Sequence, residues 1–386
     1  MRHGVFAYAW DVVGDPAAVP RIAGLGAPIV SLAASYHSTR AFTPYHPAHR
    51  VVEAAEAAAY FAVRDEAWAG GTLRPAAADW MPAPDSFGTA AAALRAAGLD
   101  VHAWLVLCHG TRLGRAHPEL VVRNAYGDRY SHALCPSHQA VRAYAVRMVA
   151  EAARYPVAAL ELEACGWMGF EHASRHEKSG VELSAVDQAL LSVCQCPACT
   201  GGLARLGADP EALAARIRDA VDAGLAGAPR PTTGTLATRM AELVGDEIVA
   251  VFRLRARVIA DLLAAMRPVA AGIPLLLMAN PDPGHTGSNV GVDVTAVAGA
   301  VDGLLLKANA AESTVAAVFT AARQVLPATA RLEAIVNAVP PGFDDAAALA
   351  ARVALVGASG GDGVRYYHAG LASPAALAAV RTVCGG

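Results

Sequence analysis

The chain has 386 residues, of which 55% are hydrophobic and only 17% charged, with a formal net charge of −3. That balance implies a compact core with both faces of a sheet covered. With no basic run, the electrostatic case for binding nucleic acid or an anionic membrane is missing.

No stretch approaches the roughly 18 uninterrupted apolar residues of a membrane span. The opening MRHGVFAYAW lacks the charged, apolar and small-residue parts of an export signal, so a cytoplasmic location is expected. Seven unevenly spaced cysteines do not resemble a secreted disulfide scaffold.

Eight short apolar runs recur in chain order: 5-VFAYAW, 29-IVSLAAS, 101-VHAWLVLC, 157-VAALELEAC, 273-IPLLLMAN, 301-VDGLLLKAN, 332-LEAIVNAV and 364-VRYYHAG. Between them lie alanine-rich helical patterns such as 86-SFGTAAAALRAAG-98, 138-HQAVRAYAVRMVAEAARY-155 and 312-ESTVAAVFTAARQVL-326. Gly98 and Gly272 stand where helix-ending glycines are expected. Eight alternating strands and helices predict an α/β chain folded as one (β/α)8 TIM barrel over residues 1–386. An open doubly wound sheet is the alternative, but no G-x-G-x-x-G follows the first run. Two connections, 36–85 and 165–245, are too long for simple helical returns. They read as insertions after strands 2 and 4, on the barrel face where catalytic sites are built.

Polar and aromatic groups recur at the predicted C-terminal ends of these runs. The first run offers Trp10 and Asp11, the second Tyr36, His37 and Arg40, and the third His109. In the fourth, period-2 alternation puts Glu161 and Glu163 on one face and Leu160 and Leu162 on the other. Two carboxylates inside a barrel are costly unless paired or used. Glu163, nearer the strand end, is the better acid/base, because burial raises its pKa. The alternative is an ion pair with an arginine such as Arg365.

Next comes 166-GWMGFEHASRHEKSG-180, where Trp167, Glu171 and His172 combine aromatic and polar character suited to a sugar. The later runs contribute Asn280 and Asp282, then Lys307, then Asn337, then Tyr367 and His368. A barrel needs no such array for stability, so these residues are expected to bind a small carbohydrate. Asp282, Glu171 or Asp11 would be the second carboxylate, with Asp282 preferred because strand 5 neighbours strand 4.

In 194-CQCPACT-200, Cys194, Cys196 and Cys199 can deliver three sulfurs to one zinc ion. A fourth ligand would be Cys135, Cys165 or one of His132, His138, His172 and His176. A Cys196–Cys199 redox couple is the competing reading.

The order 135-CPSHQAVRAYAVRMVAEAARYP-156, 157-VAALELEACGW-167 and 194-CQCPACTGGLARLGADPEAL-213, covering about a fifth of the chain, resembles the β-galactosidases of glycoside hydrolase family 42. That resemblance implies a structural zinc held by Cys135, Cys194, Cys196 and Cys199, with Glu163 as the catalytic acid. The sequence departs from the family pattern in having Leu162, not Asn, before the acid, and in placing Glu333 near the start of its strand. The reading is therefore a glycosidase using Glu163, with no catalytic cofactor, and a homodimer is the base-rate expectation. A sugar isomerase, epimerase or lyase is the first rival, and a non-catalytic carbohydrate-binding barrel the second.

Overall fold

The computed structural model describes residues 1–170, 178–343 and 345–385. All eight apolar runs are strands: β1 (Arg2–Ala7), β2 (Ile29–Tyr36), β3 (Asp100–Val106), β4 (Ala159–Glu163), β5 (Leu275–Asn280), β6 (Gly303–Lys307), β7 (Arg331–Asn337) and β8 (Gly363–Tyr367). They pair in parallel in chain order. Gly4 of β1 lies opposite Ile29 on one side and Arg365 on the other, so β8 returns to β1 and the sheet closes.

Helices α1 (Ala18–Ala23), α2 (Ser86–Ala96), α3 (Gln139–Ala152), α4 (Ile248–Val269), α5 (Val294–Val297), α6 (Glu312–Val325), α7 (Ala346–Ala358) and α8 (Pro374–Gly385) alternate with the strands. Asp85 and Asp345 accept backbone N–H bonds at the starts of α2 and α7. Gly98 and Gly272 adopt left-handed φ values of 81° and 84° just past α2 and α4, as the sequence predicts. Among the described residues no helix is long and apolar enough to cross a membrane.

Runs such as Leu275–Leu277 and Leu304–Leu306 are buried throughout because helices cover the outside and side chains fill the inside. The lower interior, however, is polar. Arg365 Nη2 meets Glu333 Oε2 at 2.5 Å, and its Nε lies 3.5 Å from Glu161 Oε1. Glu161 also takes His102 Nδ1 at 2.7 Å and the Ser31 hydroxyl at 2.9 Å. From the barrel floor, Arg2 Nε donates to Glu333 Oε1 at 3.2 Å. Glycine at position 4 makes room for this cluster, since a Cβ there would stand 2.7 Å from Arg365 Cδ. Each charge has an opposite partner, which is the condition for keeping such groups out of water.

Three connections rise above the strand ends. After β2 come a hairpin (Thr39–Phe42 with Val51–Ala54) and a short strand, Ala58–Ala59, that extends the sheet beside Ser35 and Tyr36. After β3 a second hairpin pairs Val121–Arg123 with Arg129–Leu134, an elaboration that the apolar pattern did not announce. After β4 come helices Ala185–Leu191, Pro197–Arg205, Pro210–Leu225 and Leu236–Val244, before α4.

Candidate active site and metal centre

The C-terminal mouth of the barrel encloses a cavity of about 190 Å³. Six residues expected at the site from sequence line it together: Tyr36, His37, Glu163, Lys307, Asn337 and Tyr367. Trp104, Ser288 and Asn289 join them, with Phe6, Met278 and Ile335 as apolar wall.

Glu163 is the centre of this arrangement. It is 8% exposed, and its Oε2 accepts the indole N–H of Trp104 at 2.6 Å. Burial raises its pKa to about 7, against the opposing pull of the Trp104 N–H, the Lys307 charge and the Ser288 hydroxyl. Lys307 Nζ stands 3.3 Å from Ser288 Oγ, which keeps that charge at the cavity rim. Glu161, two residues earlier on the same face, has the opposite character. Burial pushes it up, but His102, Arg365 and Ser31 outweigh this and hold it below the ordinary carboxylate range. The ion pair with Arg365 considered for Glu163 thus belongs to Glu161. One carboxyl is a fixed anion and the other can carry a proton near neutrality.

Opposite Glu163, the hydroxyls of Tyr8, Tyr36 and Tyr367 form a closed triangle of 3.0, 2.9 and 3.3 Å. Burial first, then mutual proximity, raises the pKa of Tyr8 and Tyr36, so both stay neutral hydrogen-bonding groups. His37 stacks on Tyr36 with 4.2 Å between ring centroids and lies tilted against His109 at 4.4 Å. Its Nδ1 hydrogen-bonds the Ser38 carbonyl at 2.7 Å, and burial lowers its pKa.

Other expected site residues are placed elsewhere. Trp10 is fully buried against Tyr8, and His368, pushed down to about 3 by burial, stacks on the other side of that ring. Asp11 accepts the Tyr8 backbone N–H at 2.8 Å and is raised by burial to about 7, but it does not line the cavity. Trp167 is buried under the guanidinium of Arg255, 5.5 Å from the ring centroid. Asn280 Oδ1 accepts the backbone N–H of Asp282 at 3.0 Å. Asp282 itself accepts the backbone N–H groups of Leu236, Ala237 and Gly284, which commits both its oxygens to holding a loop and a helix start. Arg40 lies in a separate groove beside the mouth. Glu171 and His172 lie outside the described residues.

Trp104, Ser288 and Asn289 are cavity-lining residues that sequence reasoning missed. Trp104 was within reach of the alternation that singled out Glu163, because His102, Trp104 and Val106 share one face of β3. Ser288 sits in an irregular loop and carries no such signal.

The second centre is the cysteine cluster. Cys135 follows the second hairpin, Cys194 and Cys196 precede helix Pro197–Arg205, and Cys199 lies in its first turn. Their four sulfurs are buried and lie within 4.8 Å of one another. Cys135 Sγ is 3.5, 3.8 and 3.7 Å from those of Cys199, Cys194 and Cys196. A tetrahedron of thiolates at about 2.3 Å from a zinc-sized ion has edges of roughly 3.8 Å. The spacing therefore fits four ligands around one ion, and Cys135 fills the fourth place. Arg255 is 3% exposed, and its Nη2 donates to the Ser192 carbonyl at 3.2 Å. Burial lowers its pKa, while Cys199, Cys194 and Cys135 act in the opposite direction. Four thiolates around a divalent ion carry a net −2, a suitable counter-charge for this arginine.

No family model matches the chain, and no curated protein matches it in sequence. Solved structures do match in fold. An α-L-fucosidase isoenzyme 2 from Paenibacillus thiaminolyticus aligns over 100% of this chain and 49% of its own, with TM-score 0.57 and 12% identity. A GH42 β-galactosidase from G. stearothermophilus aligns over 100% of this chain and 56% of its own, with TM-score 0.54 and 12% identity. The catalytic domain of a β-amylase from Paenibacillus polymyxa aligns over 99% and 97%, with TM-score 0.56 and 11% identity. The chain thus spans about half the length of the first two. At these identities the likeness is one of fold alone, a (β/α)8 barrel that this chain shares with those three enzymes.

Proposed function

We propose that the protein hydrolyses a glycosidic bond in a small glycan or glycoside, with Glu163 as general acid/base. The observation that carries this reading is a buried carboxyl at the C-terminal end of β4, held near neutrality inside the barrel-mouth cavity. A carboxyl with a pKa of about 7 donates a proton to a departing glycosidic oxygen more readily than an ordinary glutamate does. Tyr36, Tyr367, Asn337 and Lys307 would hold the sugar hydroxyls, and the cavity has the room of roughly six waters at about 30 Å³ each, enough for one small ring.

Of the three residues weighed as second carboxylate, Asp282 is committed to backbone bonds, and Asp11 accepts the Tyr8 backbone N–H and does not line the cavity. Glu171, eight positions after Glu163, is the one we retain. The separation of the two carboxyls would set the stereochemistry, about 5.5 Å for retention and 6.5–9.5 Å for inversion. The cysteine cluster is proposed to hold structural zinc, since four thiolates leave no open position for chemistry.

Phenyl glycosides of a panel of sugars test the activity: release of phenol supports hydrolysis. One observation favours a second reading. Glu163 is the sole carboxylate lining the cavity among the described residues, with Lys307 beside it. One acid and one amine suit proton transfer in a sugar isomerase, epimerase or lyase. Conversion of free sugars without phenol release would support that alternative.

A further inference from the structure

The two chain segments that wall the cavity on one side do not end there. From Tyr36 and His37 the chain continues into Ser38, Thr39 and Arg40, and from His109 it continues into Thr111, Arg112 and Arg115. The rings of His37, which lines the cavity, and His109, just outside it, lie 4.4 Å apart between centroids at a tilt of 32°, so the two segments start side by side. Beyond the histidines they enclose a groove of about 290 Å³. Three arginines, Arg40, Arg112 and Arg115, face it against two glutamates, Glu53 and Glu56. Arg112 Nε pairs with Glu56 Oε2 at 3.2 Å, but among the described residues neither Arg40 nor Arg115 has an ion-pair partner. On a chain with a net charge of −3, this is a local surplus of positive charge.

Past Arg112 and Glu56 a second hollow of about 560 Å³ shares that wall, and its far side is Trp80. Trp80 is 39% exposed, yet its ring is braced from below by Trp10 and Tyr60, with centroids 5.5 and 6.1 Å away. A fixed, half-exposed indole offers a face on which the C–H side of a sugar ring can stack. Exposed guanidiniums without partners offer planar double donors to carboxylate or sulfate oxygens.

We propose that this groove receives the acidic part of an extended substrate, a glycan bearing carboxylate or sulfate groups, while one ring enters the Glu163 cavity. The inference rests on the glycosidase reading for what happens in the cavity, but the groove's ligand class is tested separately. The catalytic acid is first removed in Glu163→Gln so that any turnover is slow on the timescale of the titration. Binding of tetragalacturonate, of a sulfated galactose tetrasaccharide and of its unsulfated counterpart is then measured by calorimetry.

An acidic tetrasaccharide should bind more tightly than the neutral one and lose affinity as salt rises. The added changes Arg40→Gln and Arg115→Gln should weaken acidic binding by about tenfold and leave neutral binding alone, as expected of charge-assisted bonds. Trp80→Ala should weaken both. Preference for tetragalacturonate identifies a uronate ligand, and preference for the sulfated probe a sulfate ester. Equal binding of acidic and neutral probes, binding of neither acidic probe, or no effect of the arginine changes overturns the proposal. Phenol release from phenyl glycosides together with any of those results sinks the groove alone. Acidic binding with no phenol release from the unsubstituted protein sinks the hydrolase alone.

Discussion

The indole N–H of Trp104 on β3 reaches Glu163 on β4 at 2.6 Å. One step lower on the same two strands, His102 meets Glu161 at 2.7 Å. The two contacts look alike but leave the carboxyls in opposite states. His102 is part of a paired network with Arg365 and Ser31, so Glu161 stays ionised. Trp104 supplies a single neutral donor, and even with the Lys307 charge and the Ser288 hydroxyl this is too little to offset burial, so Glu163 holds its proton to about pH 7.

Removing that donor should raise the pKa of Glu163 further, because the indole N–H stabilises the ionised form. In Trp104→Phe the alkaline limb of the rate profile is expected to move to higher pH. An unmoved limb would show that Trp104 does not tune the acid.

Glu163 also makes stability depend on pH. Its ordinary value is 4.5 and its folded value about 7, so between these the unfolded chain releases a proton that the folded chain keeps. The Glu163 contribution to stability should therefore fall as pH rises through that window, by an amount on the order of a few kcal/mol, while the buried His368 and His37, lowered in the fold, act the other way. Asp11, raised to about 7 from 3.8, acts in the same direction as Glu163, so Glu163→Gln should remove only Glu163's share of that fall. Urea denaturation at several pH values in both proteins checks this, and identical slopes would contradict it.

Arg365→Met leaves Glu161 and Glu333 buried at 0% exposure without their shared cation. Loss of one partner from a buried ionic cluster costs about 3–5 kcal/mol. The variant should show a large drop in denaturation midpoint, and a midpoint within experimental error of the parent would refute the network's role.

Purified protein should hold about one zinc ion per chain, measured by elemental analysis. Cys194→Ser or Cys135→Ser should lower both zinc content and thermal stability, since binding energy at such a site is folding energy. Normal stability in a zinc-free variant would sink the structural reading of the cluster.

Much of this arrangement is legible in the sequence. The eight apolar runs are the eight strands because parallel strands covered on both faces leave uninterrupted apolar stretches. The alternation in 159-ALELE-163 points both glutamates inward, as found. Which of them meets Arg365 is not legible, because that depends on how high each strand stands against its neighbour. The preference for Asp282 shows the same limit: adjacency of β4 and β5 says nothing about side-chain direction. Its N–H partners Leu236 and Ala237 lie 46 and 45 positions upstream, at the start of helix Leu236–Val244, which no local pattern links to β5. Cys135 was reached through resemblance, whereas the structure brings it to the other three cysteines by folding the second hairpin over the barrel mouth.

The central claim is that Glu163 protonates the leaving group, and comparing two leaving groups tests it most directly. Phenyl glycosides need protonation, while nitrophenyl glycosides depart with little help. Glu163→Gln should slow phenyl glycoside hydrolysis by about 10²–10⁴-fold and nitrophenyl glycoside hydrolysis much less, with an unchanged circular dichroism spectrum. Equal rates for parent and variant on the phenyl substrate, or equal losses on both substrates, would contradict a general-acid role.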